Sequence, residues 1–131
     1  MRTSLRTKHS VAVLIRKGTE VLAIRRPDDD DELPGIWGLP AGTCRDRESS
    51  GDLVRRIGRE KLSVDLVPLR VLASGSQVRE TYSITMDLVE CSMTGEPRCR
   101  EWKWTPWSIL EDGEAAGSLC CQLALRVGKG Q

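Results

Sequence analysis

Residues 10–16 and 20–25 are β-branched and aliphatic runs separated by Lys17, Gly18 and Thr19, a pattern that predicts a hairpin with glycine in its turn. Residues 27–34 break that pattern. Four consecutive aspartates and Glu32 lie between Pro27 and Pro34, too polar for a core and closed to helix by the prolines. The plain reading is a solvated surface loop; its alternative is a loop that lines a site and meets a cation or an amino group. Residues 37–39 predict a short strand, and Pro40, Ala41 and Gly42 a tight turn. Ser49 or Ser50 caps a helix running to about residue 62, with Leu53, Val54, Ile57 and Leu62 as its apolar stripe and Ser63 at its end. Residues 64–72 are strand-like despite Pro68. In residues 81–89, Tyr82, Ile84, Met86 and Leu88 alternate with Thr81, Ser83, Thr85 and Asp87, the period of a half-buried strand. A turn at residues 94–97, a short strand at 101–104 and an amphipathic helix at 118–127 complete the order. Three strands, a helix, three strands and a helix, with no internal repeat, predict a mixed α/β fold with helices packed on a sheet.

Composition narrows the class. At 131 residues, 39% of them hydrophobic, the chain has room for one domain over residues 1–131 and too much apolar content for disorder. Twenty Lys and Arg against 19 Asp and Glu leave a net charge of +1, so a charged partner must be held locally. Nucleic acid is not expected as a partner, because the arginine-rich segments are interspersed with acids. The longest apolar run, residues 11–15, is far below the ~18 residues of a membrane span, and no membrane partner is expected. The basic residues ahead of that run lead into no cleavage site, so a signal peptide is not expected either. Five cysteines, odd in number, without CxxC spacing and including the adjacent pair Cys120 and Cys121, read as reduced thiols in a cytoplasmic protein. His9 is the sole histidine, which excludes a histidine-rich metal site.

The chemistry is concentrated in residues 42–64, GTCRDRESSGDLVRRIGREKLSV. This segment resembles the Nudix box: Gly, five residues, Glu, seven residues, then Arg-Glu-U-x-Glu-Glu-x-Gly-U with U aliphatic. Gly42, Glu48, Arg56, Glu60 and Val64 fall at the consensus positions without a gap. IRRP at residues 24–27, GIWGLPAG at 35–42, GEP at 95–97 and WTPWSIL at 104–110 are also similar to the family, so the likeness spans residues 10 to 112. It implies a Nudix-type, MutT-like α/β/α sandwich with a mixed β-sheet and a loop-helix box. It also implies hydrolysis of a nucleoside diphosphate linked to another moiety, by Mg²⁺-assisted attack of water on phosphorus. The box suits that work: hard cations need oxygen ligands, and glutamates at i, i+3 and i+4 present three carboxylates on one helix face.

The segment departs from the family at the helix. Ile57 and Lys61 stand where the first and third helix glutamates are expected, and Gly58 and Ser63 replace an aliphatic residue and a glycine. Ile57 can ligate nothing, and Lys61 repels Mg²⁺ by several kcal/mol at close range for an effective dielectric near ~20. Gly51 and Gly58 each weaken the helix by ~1 kcal/mol relative to Ala. By resemblance, the catalytic set is Glu60 and Glu48 with Arg56 as the orienting guanidinium, and Arg26 and Lys61 are expected to grip the bound phosphate or base. The metal set is Glu60, Glu48, Glu101 and the Ala41 carbonyl, enough for a single Mg²⁺. Lys61 has a second reading, as a fixed positive charge that replaces an ion at the diphosphate. Two functions follow: a slow Nudix hydrolase, or a nucleotide-binding or regulatory module that has lost its metal centre. A homodimer is expected by analogy with the family, and one of the four tryptophans is a candidate for stacking on a base.

Overall fold

The computed structural model describes residues 6–99 and 101–129. Its organising element is β1 (Arg6–Leu14), which carries most of the apolar run at residues 11–15 and is buried on both faces. Ala12 and Leu14 pack with Leu39, Leu88 and Leu123 of helix α3 (Leu119–Lys129). Val11 and Val13, with Ile15 just beyond the strand, pack with Leu53, Val54 and Ile57 of helix α1 (Ser50–Ile57). A strand covered on both sides needs an unbroken apolar run, and each fully buried Val or Leu contributes about 1.5–3 kcal/mol.

The sheet around β1 has the order β5-β1-β7-β6, with β5 at Ala41–Thr43, β6 at Asp65–Val78 and β7 at Tyr82–Thr94. β1 runs parallel to β7 and antiparallel to β5, which makes the sheet mixed. A second sheet is built on β3 (Glu20–Arg25), with β8 (Trp102–Thr105) along one edge and β2 (Arg16–Lys17) and β4 (Trp37–Gly38) along the other. Helices on both faces of a mixed sheet give the expected α/β/α sandwich. No helix among the described residues is long and apolar enough to cross a membrane.

Several elements differ from the sequence reading. The predicted hairpin survives only as the short pairing of β2 with β3, with Gly18 at φ +60 in its turn, because β1 leaves for the other sheet. The predicted tight turn at residues 40–42 is instead strand β5. β1 has an edge whose backbone groups need partners, and residues 41–43 supply them. The strands at 64–72 and 81–89 extend into the long β6–β7 ladder, where Pro68 is tolerated on the outer strand beside a shift of register. Helix α2 (Glu111–Ala115) has no counterpart in the sequence reading.

Candidate functional site

Gly42 opens the loop-helix segment at a point where the helix lies close. A Cβ there would meet Ile57 Cγ1 at 3.2 Å and Leu53 Cδ1 at 3.3 Å, so only glycine lets β5 and α1 approach without displacement. Ser49 caps α1, its hydroxyl accepting the Asp52 N–H at 3.0 Å. The predicted single helix changes its hydrogen bonding at Gly58, and residues Gly58–Leu62 form a π-helical turn closed by Ser63 in the left-handed conformation, φ +59. Glu60 and Lys61 both lie on that turn.

Arg56 holds the first half of the segment together. Its Nε and Nη2 donate to the two carboxylate oxygens of Glu48 at 2.8 and 2.9 Å, and Nη2 also donates to the Thr43 carbonyl at 2.9 Å. Glu48 accepts the Arg45 N–H at 3.0 Å as well. The Arg56 guanidinium and that backbone bond hold the Glu48 carboxyl down at about 2, and Glu48 in turn raises the pKa of Arg56. Glu60 is exposed and lies 3.5 Å from Arg56 Nη1 and 3.8 Å from Arg45 Nη2.

In the second half the chemistry is inverted. Ile57 is 1% exposed and belongs to the core. The Lys61 ammonium donates to the Ala41 carbonyl, the oxygen that the resemblance assigns to a metal ion. Lys61 is exposed as a residue, yet protein crowding its ammonium end pushes its pKa down, and the charges of Arg26 and Arg56 push the same way. Arg26 and Lys61 both line a cavity of about 450 Å³ beside β5 and a smaller one of about 230 Å³ behind it. Ala41 borders both.

Of the four expected metal ligands, Glu48 and Glu60 both reach Arg56, and the other two have partners of their own. Glu48 is bound by Arg56 and the Ala41 carbonyl by Lys61, and Glu101 is paired with Arg25 Nη1 at 3.3 Å and borders another cavity. Among the described residues no three His, Cys, Asp or Glu side chains gather into a metal-binding group. A donor set of paired carboxylates with an ammonium on the remaining carbonyl does not fit the cluster of hard cations that the box serves in the family.

Sequence reasoning missed one wall of the larger cavity. Tyr82, Ile84 and Met86 line it from alternate positions of β7, and Lys8 Nζ sits 4.0 Å from the Tyr82 ring centroid. The alternation was visible; which cavity that face borders depended on the parallel pairing of β7 with β1. The aspartate run is more than a solvated loop, since Asp30 to Glu32 border this cavity. Asp30 accepts from Leu33 N–H at 2.8 Å, Glu32 N–H at 3.2 Å and Arg26 Nη1 at 3.0 Å, and its pKa is lowered by those bonds. Glu32 accepts from Tyr82 Oη and Arg79 Nη1, both at 3.2 Å, which ties the loop to the β6–β7 end of the sheet.

No protein-family profile matches the sequence, and no curated protein sequence matches it. The fold has many solved counterparts. A MutT protein from Methanosarcina mazei is similar with a TM-score of 0.81 at 18% identity, over 98% of each chain. A MutT Nudix hydrolase from Burkholderia pseudomallei gives 0.69 at 20% identity, over 79% of this chain and 85% of its own. An ADP-ribose pyrophosphatase from Streptococcus suis gives 0.60 at 20% identity, over 77% of this chain and 75% of its own. The mixed sheet with its helices matches those structures, and the chain has the fold of the MutT/Nudix hydrolases.

Proposed function

We propose that this protein binds the phosphate chain of a nucleoside diphosphate derivative in the cavity bordered by Arg26 and Lys61, using the fixed charge of Lys61 where the family uses metal ions. The observation that carries this reading is the Lys61 ammonium seated on the Ala41 carbonyl, with Arg26 on the same cavity wall. Two cationic side chains facing one hollow suit a diphosphate, each contributing charge-assisted hydrogen bonds. The apolar wall of Ile84 and Met86 suits a base, and the carboxylates of Asp31 and Glu32 suit amino or hydroxyl donors of the same ligand. Glu48 and Arg56 act in this reading as a brace that positions the helix, not as groups that touch phosphate. The ADP-ribose pyrophosphatase among the similar structures supports the ligand class, a nucleoside diphosphate joined to another moiety.

Calorimetric titration with inorganic pyrophosphate and with ADP-ribose, in EDTA and again in millimolar Mg²⁺, tests the reading. Binding is expected without Mg²⁺, and Lys61→Met is expected to weaken it by about tenfold, the equivalent of one charged contact. Binding that requires Mg²⁺, or that is indifferent to Lys61, would refute it. Slow hydrolysis is a second reading, favoured by one observation: Glu60 remains exposed and only loosely tied to Arg56. Phosphate release that depends on Mg²⁺ and vanishes in Glu60→Gln would establish it.

A further inference from the structure

β6 is the last strand of its sheet, and no strand among the described residues pairs with its outer edge. A 14-residue edge of this kind leaves a row of backbone donors and acceptors open to another strand. Every large apolar side chain that stands exposed among the described residues is also on it: Val67, Leu69, Val71 and Val78, 49% to 78% exposed. The one charged side chain inside the strand, Arg70, is held by Glu90 at 2.8 Å, and no lysine guards the edge.

The irregularities of β6 decide what fits that edge. Residues directly opposite in a ladder share a face, so Pro68 and Val71 face α1 with their partners Cys91 and Val89, and Ala73 and Gly75 face α3 with Leu88 and Met86. Two register shifts each add one residue, Leu69 and Leu72. At each bulge two successive residues lie over one partner, residues 69 and 70 over Glu90 and residues 72 and 73 over Leu88. The two bulges are therefore symmetric about Val71. Counted outward from Val71, the faces follow the same order in both directions along the whole strand, so the edge is complementary to itself when turned end for end.

We propose that β6 pairs antiparallel with β6 of a second copy of this chain, about a two-fold axis through Val71, joining the two four-stranded sheets into one. In that register Val71 meets Val71, Leu69 meets Ala73, Val67 meets Gly75 and Val78 meets Val64, so each exposed apolar side chain gains an apolar or small neighbour. Asp65 lies opposite Gln77 and diagonal to Arg79, an opposite charge, and each Arg70 brings its own Glu90 to the axis. A slip of one residue would set positions facing α1 against positions facing α3 and lose the match. The net charge of +1 gives the copies no bulk repulsion. Fourteen residues at about 3.3 Å each, with a sheet about 10 Å thick, bury on the order of 500 Å² per copy, below the ~800 Å² of a stable interface. The association is accordingly reversible. It closes at two copies, because the opposite edge of the sheet is the three-residue β5, which borders the larger cavity. The pairing is independent of what that cavity binds.

Sedimentation velocity of the full chain from about 1 µM to about 1 mM tests the pairing, with a monomer–dimer equilibrium of Kd on the order of 100 µM expected. Val71→Lys brings two ammonium groups together on the axis and is expected to weaken the dimer at least tenfold, while Tm stays unchanged because the side chain is exposed. Val71→Cys is expected to give a disulfide-linked dimer on mild oxidation, since residues directly opposite have Cα atoms about 5 Å apart. Val67→Cys, roughly 26 Å from its mate in this register, is expected to give none above the wild-type background. A chain that stays monomeric throughout would overturn the proposal and leave the edge to a strand of another protein. A dimer indifferent to Val71→Lys, cross-linking through Val67→Cys and not Val71→Cys, or assemblies that grow beyond two copies would overturn it as well. If Val71→Lys fails to fold, the two cysteine variants decide the outcome.

Discussion

In the first half of the loop-helix segment Arg56 grips Glu48 with two short hydrogen bonds and braces the loop through Thr43, while in the second half Ile57 is sunk in the core and the Lys61 ammonium rests on Ala41. The halves are separated by less than one helical turn, yet one keeps the pattern of the Nudix box and the other reverses its charge. The contrast separates two duties that one motif performs. Holding the loop against the helix requires only Gly42, Glu48 and Arg56, and these persist. Concentrating negative charge for metal ions requires the carboxylates at positions 57 and 61, and there the chain has an apolar group and a cation.

The sharpest way to break the contrast is to restore the family's residue at position 57. Ile57→Glu would bury a carboxylate where the side chain is 1% exposed among Leu53 and the Gly42 backbone. The expected cost is about 4 kcal/mol, a fall of roughly 15 °C in Tm by thermal denaturation. An unchanged Tm would mean that the side chain can swing out of the core, and the apolar character of position 57 would then not be required by the fold. Gly58→Ala comes next. Helix propensity alone makes this change favourable by ~1 kcal/mol. The fold opposes it, because a Cβ at Gly58 would meet Leu66 Cγ at 2.8 Å and the Val64 carbonyl oxygen at 2.9 Å. Net destabilisation of about 2 kcal/mol in urea unfolding is expected, and a gain in stability would show that the close approach of β6 is not fixed.

The intact half is tested by acid. The folded-state pKa of Glu48 is depressed to about 2 from an ordinary value of 4.5, so its pairing stabilises the fold fully above pH 4.5 and is lost as pH falls toward 2. The gap in Tm between wild type and Glu48→Gln should therefore be constant at neutral pH, shrink below pH 4.5 and close near pH 2. A gap that does not change with pH would mean that the pair contributes shape alone.

What could be read from the chain follows the range of the interactions. The run at residues 10–16 announced a strand because it is a local pattern, whereas its burial on both faces and the pairing of Arg56 with Glu48, read from the sequence as an orienting guanidinium and a metal ligand, appear only in the fold. Strand β5 could not be read locally: Pro40, Ala41 and Gly42 have turn composition, and only the edge of β1 draws them into a ladder. Glu101 was placed by resemblance in spacing, and its ion pair with Arg25, far away in sequence, is a property of the fold. Gly58 looked like a helix weakener because its partner Leu66 lies beyond the helix. Tyr82 shows on the sequence as one position of an alternating strand; its place on the cavity is a property of the sheet.

The smallest effect lies at the end of the second half. Ser63 closes the π-helical turn at φ +59, in a conformation that costs a residue with a Cβ, at the position where the Nudix box has glycine. Its backbone conformation is enforced by the neighbouring ladder, since Val64 N–H reaches back to the Gly58 carbonyl at 3.0 Å and the chain enters β6 at Asp65. Relieving the strain without changing any side-chain contact of the cavity should add stability and leave binding alone. Ser63→Gly is expected to raise stability by about 1 kcal/mol in urea unfolding, with the pyrophosphate affinity of the wild type retained. If the variant instead loses stability, the entropy of the freer unfolded glycine outweighs the relieved strain, and the left-handed turn is one that serine occupies without penalty.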